Sequence, residues 1–168
     1  FAANRKHFSF AILTNGTYID AAMARRLRKL RPAFVQVSIE GSRATHDAIR
    51  GEGNFDRAVS ALRDLVRTRI RTLISFSAHR ANFREFPDVA RLGQELRVSR
   101  VWADRVIPWG TGSELRKQVL TPEETREFFE ILHSVALATG SEIVTKIPSP
   151  MESKQSFFES KSGDTSSM

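Results

Sequence analysis

Cysteine is absent from all 168 residues. That excludes disulfides, thiolate zinc sites, a cysteine nucleophile and any cysteine-held iron–sulfur cluster within this stretch. No apolar run approaches the ~18 residues that a membrane helix requires. No charged start leads into an apolar stretch with a small-residue cleavage site, so no secretory signal is visible and the cytoplasm is the expected location. Nucleophile-elbow, phosphate-loop and HExxH patterns are also missing, which leaves hydrolase and nucleotide-hydrolysing readings without a motif. The four histidines, His7, His46, His79 and His133, show no paired metal-ligand spacing.

Carboxylates are scarce in the first part of the chain. Residues 1–105 hold 20 basic and 10 acidic side chains, whereas residues 106–168 hold 6 and 9. Such a surplus can attract nucleic acid, an acidic peptide or an anionic cofactor. Most of these cations, Arg25, Arg26, Arg63 and Arg67 among them, fall on the outer faces of expected helices. Without a lysine-rich block, and with few aromatics interleaved, they read as a solvated surface, and nucleic acid is not the expected partner.

Phe8–Leu13, Phe34–Ile39, Thr72–Ala78 and Val101–Ile107 are short runs rich in β-branched and aromatic residues, each bounded by turn signals. Helical patterns lie between them. Asp20 opens a helix carrying Met23, Leu27 and Leu30. In Asn54–Thr68 the positions Phe55, Val59, Leu62 and Val66 make one apolar stripe, with Asn54 as the expected N-cap. A further helix from about Glu85 carries Phe86, Val89 and Leu96. Thr121-Pro122-Glu123-Glu124 supplies a cap, a first-turn proline and the glutamate of a capping box ahead of Phe128, Leu132 and Val135. A fifth strand is expected over Glu142–Lys146. Strict alternation of strand and helix implies parallel strands joined by right-handed crossovers, an α/β protein.

Strand faces refine this reading, because side chains alternate sides with period two. Val35, Val37 and Ile39 share one face of the second strand, and Gln36, Ser38 and Glu40 the other. Leu73, Ser75, Ser77 and His79 form a similar row on the third. Helices on both faces would bury such rows, at about 1–3 kcal/mol for each unpaired polar group. A partial βα barrel of the TIM type gives them a polar lumen, with a site at the C-terminal strand ends around Asn15, Glu40, His79 and Pro108. The plainer alternative is that Ser and Gln bond neighbouring backbone. Four or five strands cannot close an eight-stranded barrel, so an incomplete barrel over residues 1–150 is expected. Met151–Met168, rich in Ser and Lys, is expected to be a disordered tail.

Three segments carry a resemblance. Leu13-Thr14-Asn15-Gly16-Thr17 ends the first strand, and Val37-Ser38-Ile39-Glu40-Gly41 ends the second. His46-Asp47-Ala48-Ile49-Arg50-Gly51-Glu52-Gly53-Asn54-Phe55 leads into the next helix. In this order, and followed by Val106-Ile107-Pro108-Trp109-Gly110, they resemble the core of a radical S-adenosylmethionine enzyme. The branch is the one that modifies peptides and proteins, and it often carries a cysteine-rich C-terminal domain. The resemblance covers about Ile12 to Gly112.

The resemblance implies a six-unit partial barrel in which a [4Fe–4S] cluster binds S-adenosylmethionine, delivers an electron and produces a hydrogen-abstracting 5′-deoxyadenosyl radical. An external electron donor and a peptide or protein substrate, acidic in view of the basic excess, are the implied partners. The family's CxxxCxxC and Gly-Gly-Glu-Pro segments are absent here, so the chain resembles the third to sixth units and is expected to be inactive alone.

By position, Ser38 matches a hydroxyl facing the cofactor. Glu40 stands where the family usually has aspartate, its extra methylene moving the oxygens by about a bond length. Arg50 matches an arginine approaching the cofactor's carboxylate, for which its fork is suited; otherwise Arg50 pairs with Asp47 or Glu52 to order the loop. Pro108, Trp109 and Gly110 match a stretch flanking adenine. Asn15 organises its turn and faces the site, and Ser77, with Ser75, lines the lumen. A competing expectation is a degenerate barrel that binds a nucleotide-like ligand or a partner without radical chemistry.

Overall fold

The computed structural model describes residues 9–106, 117–139 and 144–145. Among these residues the strands are β1 (Ile12–Thr14), β2 (Val35–Ser38), β3 (Thr72–Ala78), β4 (Arg100–Arg105) and β5 (Val144–Thr145). The helices are α1 (Ala21–Leu30), α2 (Arg43–Arg50), α3 (Asn54–Arg67), α4 (Phe86–Glu95) and α5 (Pro122–Thr139). A 3-10 turn, Phe83–Glu85, leads into α4.

All neighbouring strands pair in parallel, and their spatial order is their chain order, β1-β2-β3-β4-β5. Right-handed crossovers in an unreversed order deliver every helix to the same side. The sheet is therefore covered on one face, as in part of a βα barrel, and the α/β partial-barrel expectation holds. Val35, Val37, Ile39, Ile74, Phe76 and Ala78 are buried against the helices with Ala58, Leu62, Leu65, Phe86 and Val89. Phe128 of α5 packs within 6.2–6.4 Å of the rings of Phe76, Phe83 and Phe86, joining α4 and α5 over β3.

Several local expectations shift. β1 begins at Ile12 rather than Phe8, and β4 ends at Arg105 rather than Ile107. The stretch leading into α3 is itself largely helical, as α2. Asn54 is not the N-cap of α3; Gly53 holds that position at φ +75°. The exposed helix amides find Asp47 instead, whose Oδ2 accepts from Gly53 N at 3.0 Å and Oδ1 from Phe55 N at 2.7 Å. A carboxylate at a helix N-terminus is favoured by the helix dipole as well. The capping box of α5 forms as expected, with Thr121 N donating to Glu124 Oε2 at 2.9 Å and Glu124 N to Thr121 Oγ1 at 3.2 Å. The 151–168 segment and Phe8 lie outside the described residues.

Candidate functional site

The polar row of β2 and β3 lies on the face without helices. Ser38 and Ser75 are register partners, and Ser75 Oγ donates to Ser38 Oγ at 3.4 Å. Ser77 is exposed, whereas Leu73 and His79 at the ends of the row are buried. The open row is therefore shorter than the alternation suggested, and centres on hydroxyls.

Where β2 ends, the chain builds a closed network around Glu40, which is 3% exposed. Its Oε1 accepts from Arg50 Nε at 3.0 Å and from Arg50 Nη2, and its Oε2 accepts from Ser77 N at 3.0 Å. Glu40 N donates to His46 Nδ1 at 3.1 Å, and Glu40 O accepts from Asn82 Nδ2 at 3.0 Å. Asn82, 1% exposed, also donates to Ser77 O at 3.0 Å and accepts from His79 N at 2.7 Å. Arg50 thus pairs with Glu40, not with Asp47 or Glu52. Asp47 is already engaged by the amides of α3. The longer glutamate side chain spans from β2 both to α2 and to the β3 backbone. A carboxylate has about four acceptor sites, so this arrangement leaves Oε2 one in reserve.

The turn after β2 is fixed from a distance. Glu85 accepts from Ser42 N at 2.6 Å through Oε2 and from Thr45 Oγ1 at 2.6 Å through Oε1, with Gly41 at φ +137° beneath it. After β1, Asn15 Oδ1 accepts from Thr17 N at 3.2 Å and Thr17 Oγ1 at 3.0 Å, so Asn15 organises its turn. Gly16 is required there, because at φ +79° a Cβ would stand 2.9 Å from Val37 Cγ1.

Asn15 and Arg50, with Thr17, His46, Ile49 and Asn54, line a cavity of about 240 Å³ between the β1–α1 turn and α2. Arg50 is one-third exposed at its side chain. Its Nη1 has no partner among the described residues. His46, 1% exposed, is held below its ordinary pKa first by burial and then by the Arg50 charge. With Nδ1 accepting from Glu40 N, the neutral ring carries its proton on Nε2. His79 is likewise lowered by burial, against the opposing pull of Glu40. The structure thus joins Glu40, Arg50 and Ser77 in one network, sets Asn15 at the same cavity as Arg50, and leaves Ser38 on the open face. Pro108, Trp109 and Gly110 lie outside the described residues. Sequence reading missed Asn82 and Glu85, offered Asp47 as a partner of Arg50 and not of the α3 amides, and left His46 without a role. The Ser42-x-x-Thr45 spacing, an available helix-start signal, is the one local hint of α2.

Among the described residues no group of three or more His, Asp or Glu could hold a metal ion, and no helix is long and apolar enough to cross a membrane.

The family model described as the Radical SAM superfamily matches residues 1–93. An Fe-coproporphyrin III synthase of Methanosarcina barkeri is 31% identical over 131 residues, covering 77% of this chain and 33% of its own length. Mycofactocin maturase MftC of Mycolicibacterium smegmatis is 30% identical over 150 residues, covering 85% and 36%. The chain spans about a third of the length of the curated relatives it matches. Streptococcus suis SuiB, in a crystal structure with precursor peptide SuiA, superposes with a TM-score of 0.71 at 12% identity over 86% of this chain and 33% of that one. Native anSMEcpe with bound AdoMet and Kp18Cys peptide gives 0.68 at 17% over 85% and 42%. At these identities the likeness to the solved structures is one of fold.

Proposed function

The chain belongs to the radical SAM superfamily, a family of AdoMet-binding iron–sulfur enzymes, and we propose that it forms part of an enzyme that holds S-adenosylmethionine on the open face of this sheet and modifies a peptide or protein. The observation that carries the reading is the one-sided sheet, which presents the Ser38 and Ser75 hydroxyls on its open face, with the Glu40–Arg50 pair where β2 ends.

These residues fit the cofactor. Arg50, oriented by Glu40, has Nη1 for a carboxylate, and a guanidinium fork matches that group. Ser38 offers a hydroxyl that both donates and accepts, and the buried Glu40 acts on the cofactor through the Arg50 that it holds. Asn15 shapes the adjoining turn, and Pro108, Trp109 and Gly110 would flank adenine by their position in the sequence. The chain contains no cysteine, so its residues do not fit a [4Fe–4S] cluster. In this proposal the cluster and its external electron donor contact residues outside these 168. When bound and reduced by one electron, S-adenosylmethionine would supply the chemistry of hydrogen abstraction from substrate. The part played by this chain is to bind and orient the cofactor.

A peptide substrate is supported by the maturase relative and by the peptide-bound fold neighbours. The relatives named for haem synthesis favour a second reading, a tetrapyrrole substrate. Titration of the ¹⁵N-labelled chain with S-adenosylmethionine tests the site: the amides of Ser38, Ser75 and Ser77 shift, and Ser38→Ala weakens the response. Unmoved amides at about 5 mM ligand, enough to fill most of a site with a Kd of about 1 mM, would overturn the reading. Parallel titrations with an acidic peptide and with coproporphyrin separate the two substrate classes.

A further inference from the structure

At the end of the sheet opposite the candidate site, three loops close in the same way. Among the described residues only three non-glycine residues have positive φ, and all are arginines: Arg31 at 53°, Arg69 at 59° and Arg97 at 56°. Each follows a helix, and each donates its N–H to the carbonyl three residues back, in Arg28, Val66 and Gln94. A left-handed residue at this position is ordinarily glycine, because a Cβ is strained there. A cation near a helix C-terminus is favoured by the dipole, but any position in the last turn serves that end. The repeated placement of arginine at the strained position asks for another reason.

Ion pairs occur at both ends of the sheet, and at the far end Arg67 pairs with Asp64 at 3.4 Å. Near the candidate site Arg43, Arg50, Arg80 and Arg84 are paired with Asp56, Glu40, Glu124 and Glu127. At the far end Arg28, Arg31, Arg69, Arg71 and Arg97 are exposed, and none has a carboxylate partner among the described residues. Backbone bonds set these loops side by side: Val35 N donates to Arg71 O at 2.9 Å, and Ser99 N to Thr72 O at 2.8 Å.

We propose that this row of arginines is a docking surface for an acidic polypeptide segment, remote from the candidate site and independent of the reaction assigned to it. Neighbouring helices lie about 10 Å apart, and a peptide in the polyproline II conformation rises about 3.1 Å per residue with about three residues per turn. Carboxylates at every third position of such a segment share one face and would therefore meet successive arginines, whose planar forks donate to them bidentately. No exposed aromatic ring among the described residues stands at this end to stack a single-stranded base. Asp64, paired with Arg67, and the exposed Glu95 interrupt the arginines, a pattern suited to spaced carboxylates and not to a continuous phosphate backbone.

The test measures fluorescence anisotropy of a labelled peptide with aspartate at every third position, added to the 168-residue chain. Binding is expected at low salt and should weaken between about 50 and 200 mM. Combining Arg31→Gly, Arg69→Gly and Arg97→Gly should reduce affinity about tenfold or more, while relief of backbone strain leaves Tm unchanged or raises it by about 2–4 °C per site. Arg28→Gln with Arg71→Gln, which leaves the left-handed positions alone, should also weaken binding, and Arg91→Ala, removing a cation paired with Asp88, should not. Failure of the peptide to bind, full binding by the triple variant, or a lower Tm in that variant would overturn the proposal. So would tighter binding of duplex DNA, RNA or anionic vesicles than of the peptide.

Discussion

Replacing Arg50 by alanine strands a carboxylate. Glu40, 3% exposed, would keep only Ser77 N as a donor to its side chain. Removing one partner of a fully buried ion pair costs about 3–5 kcal/mol. Because the Arg50 side chain is one-third exposed and partly hydrated, a discounted figure of about 3 kcal/mol is expected. In a chain of this size that lowers Tm by about 6–12 °C. The reverse perturbation is milder. Glu40→Gln leaves Arg50 able to turn toward water and retains an oxygen for Ser77 N, so about 1 kcal/mol is expected. The double variant should cost less than the two singles together by about 1–2 kcal/mol, since each removes the penalty the other creates. Urea unfolding of the four proteins, followed by circular dichroism, measures all three values. Additivity within about 0.5 kcal/mol, or a Glu40→Gln loss exceeding that of Arg50→Ala, would refute the clamp as described.

Two further outcomes follow from local geometry. Burial holds His46 below its ordinary value of 6.5, so the folded chain prefers the neutral ring; the stability from this preference is full above pH 6.5 and is lost as pH falls toward the lowered folded value. Melting profiles should decline below pH 6.5 and decline less in His46→Gln, with equal slopes counting against the assignment. At the glycines, Gly16→Ala meets Val37 Cγ1 at 2.9 Å, whereas Gly53→Ala meets nothing within 4 Å. Backbone strain alone predicts about 1 kcal/mol at Gly53 and the added clash about 2–4 kcal/mol at Gly16, an order that urea denaturation can check.

What could be read from the chain was what repeats at short range. The alternation from Val35 to Glu40 and from Thr72 to His79 marked two strands and told the helix-covered face from the open one, because period two is a property of the backbone itself. The capping box at Thr121 was equally local. α2 escaped detection because it buries little: His46 is its one buried side chain, too few for an apolar stripe. Its N-terminal end is held by Glu85, forty residues away from Thr45, and its Asp47 serves the start of α3. Likewise, no spacing rule announces that Glu40 meets the backbone of Ser77, or that Asn82 bridges two strand ends. Those contacts exist only once β2 and β3 are neighbours. The resemblance marked Glu40 and Arg50 as separate ligand groups, and the fold shows them bonded to one another.

The coincidence of spatial and chain order in the sheet also bears on how the molecule is made. Among the described residues each strand pairs with those synthesised immediately before and after it, so a unit leaving the ribosome meets its docking surface already in place, with no wait for a distant partner. The network around Glu40 is the exception in timing. It needs α2, the end of β3 and Asn82 together, so the cavity beside Arg50 becomes rigid only after the second and third units have joined. Completion of the binding surface is in this sense a late event that certifies the assembly beneath it.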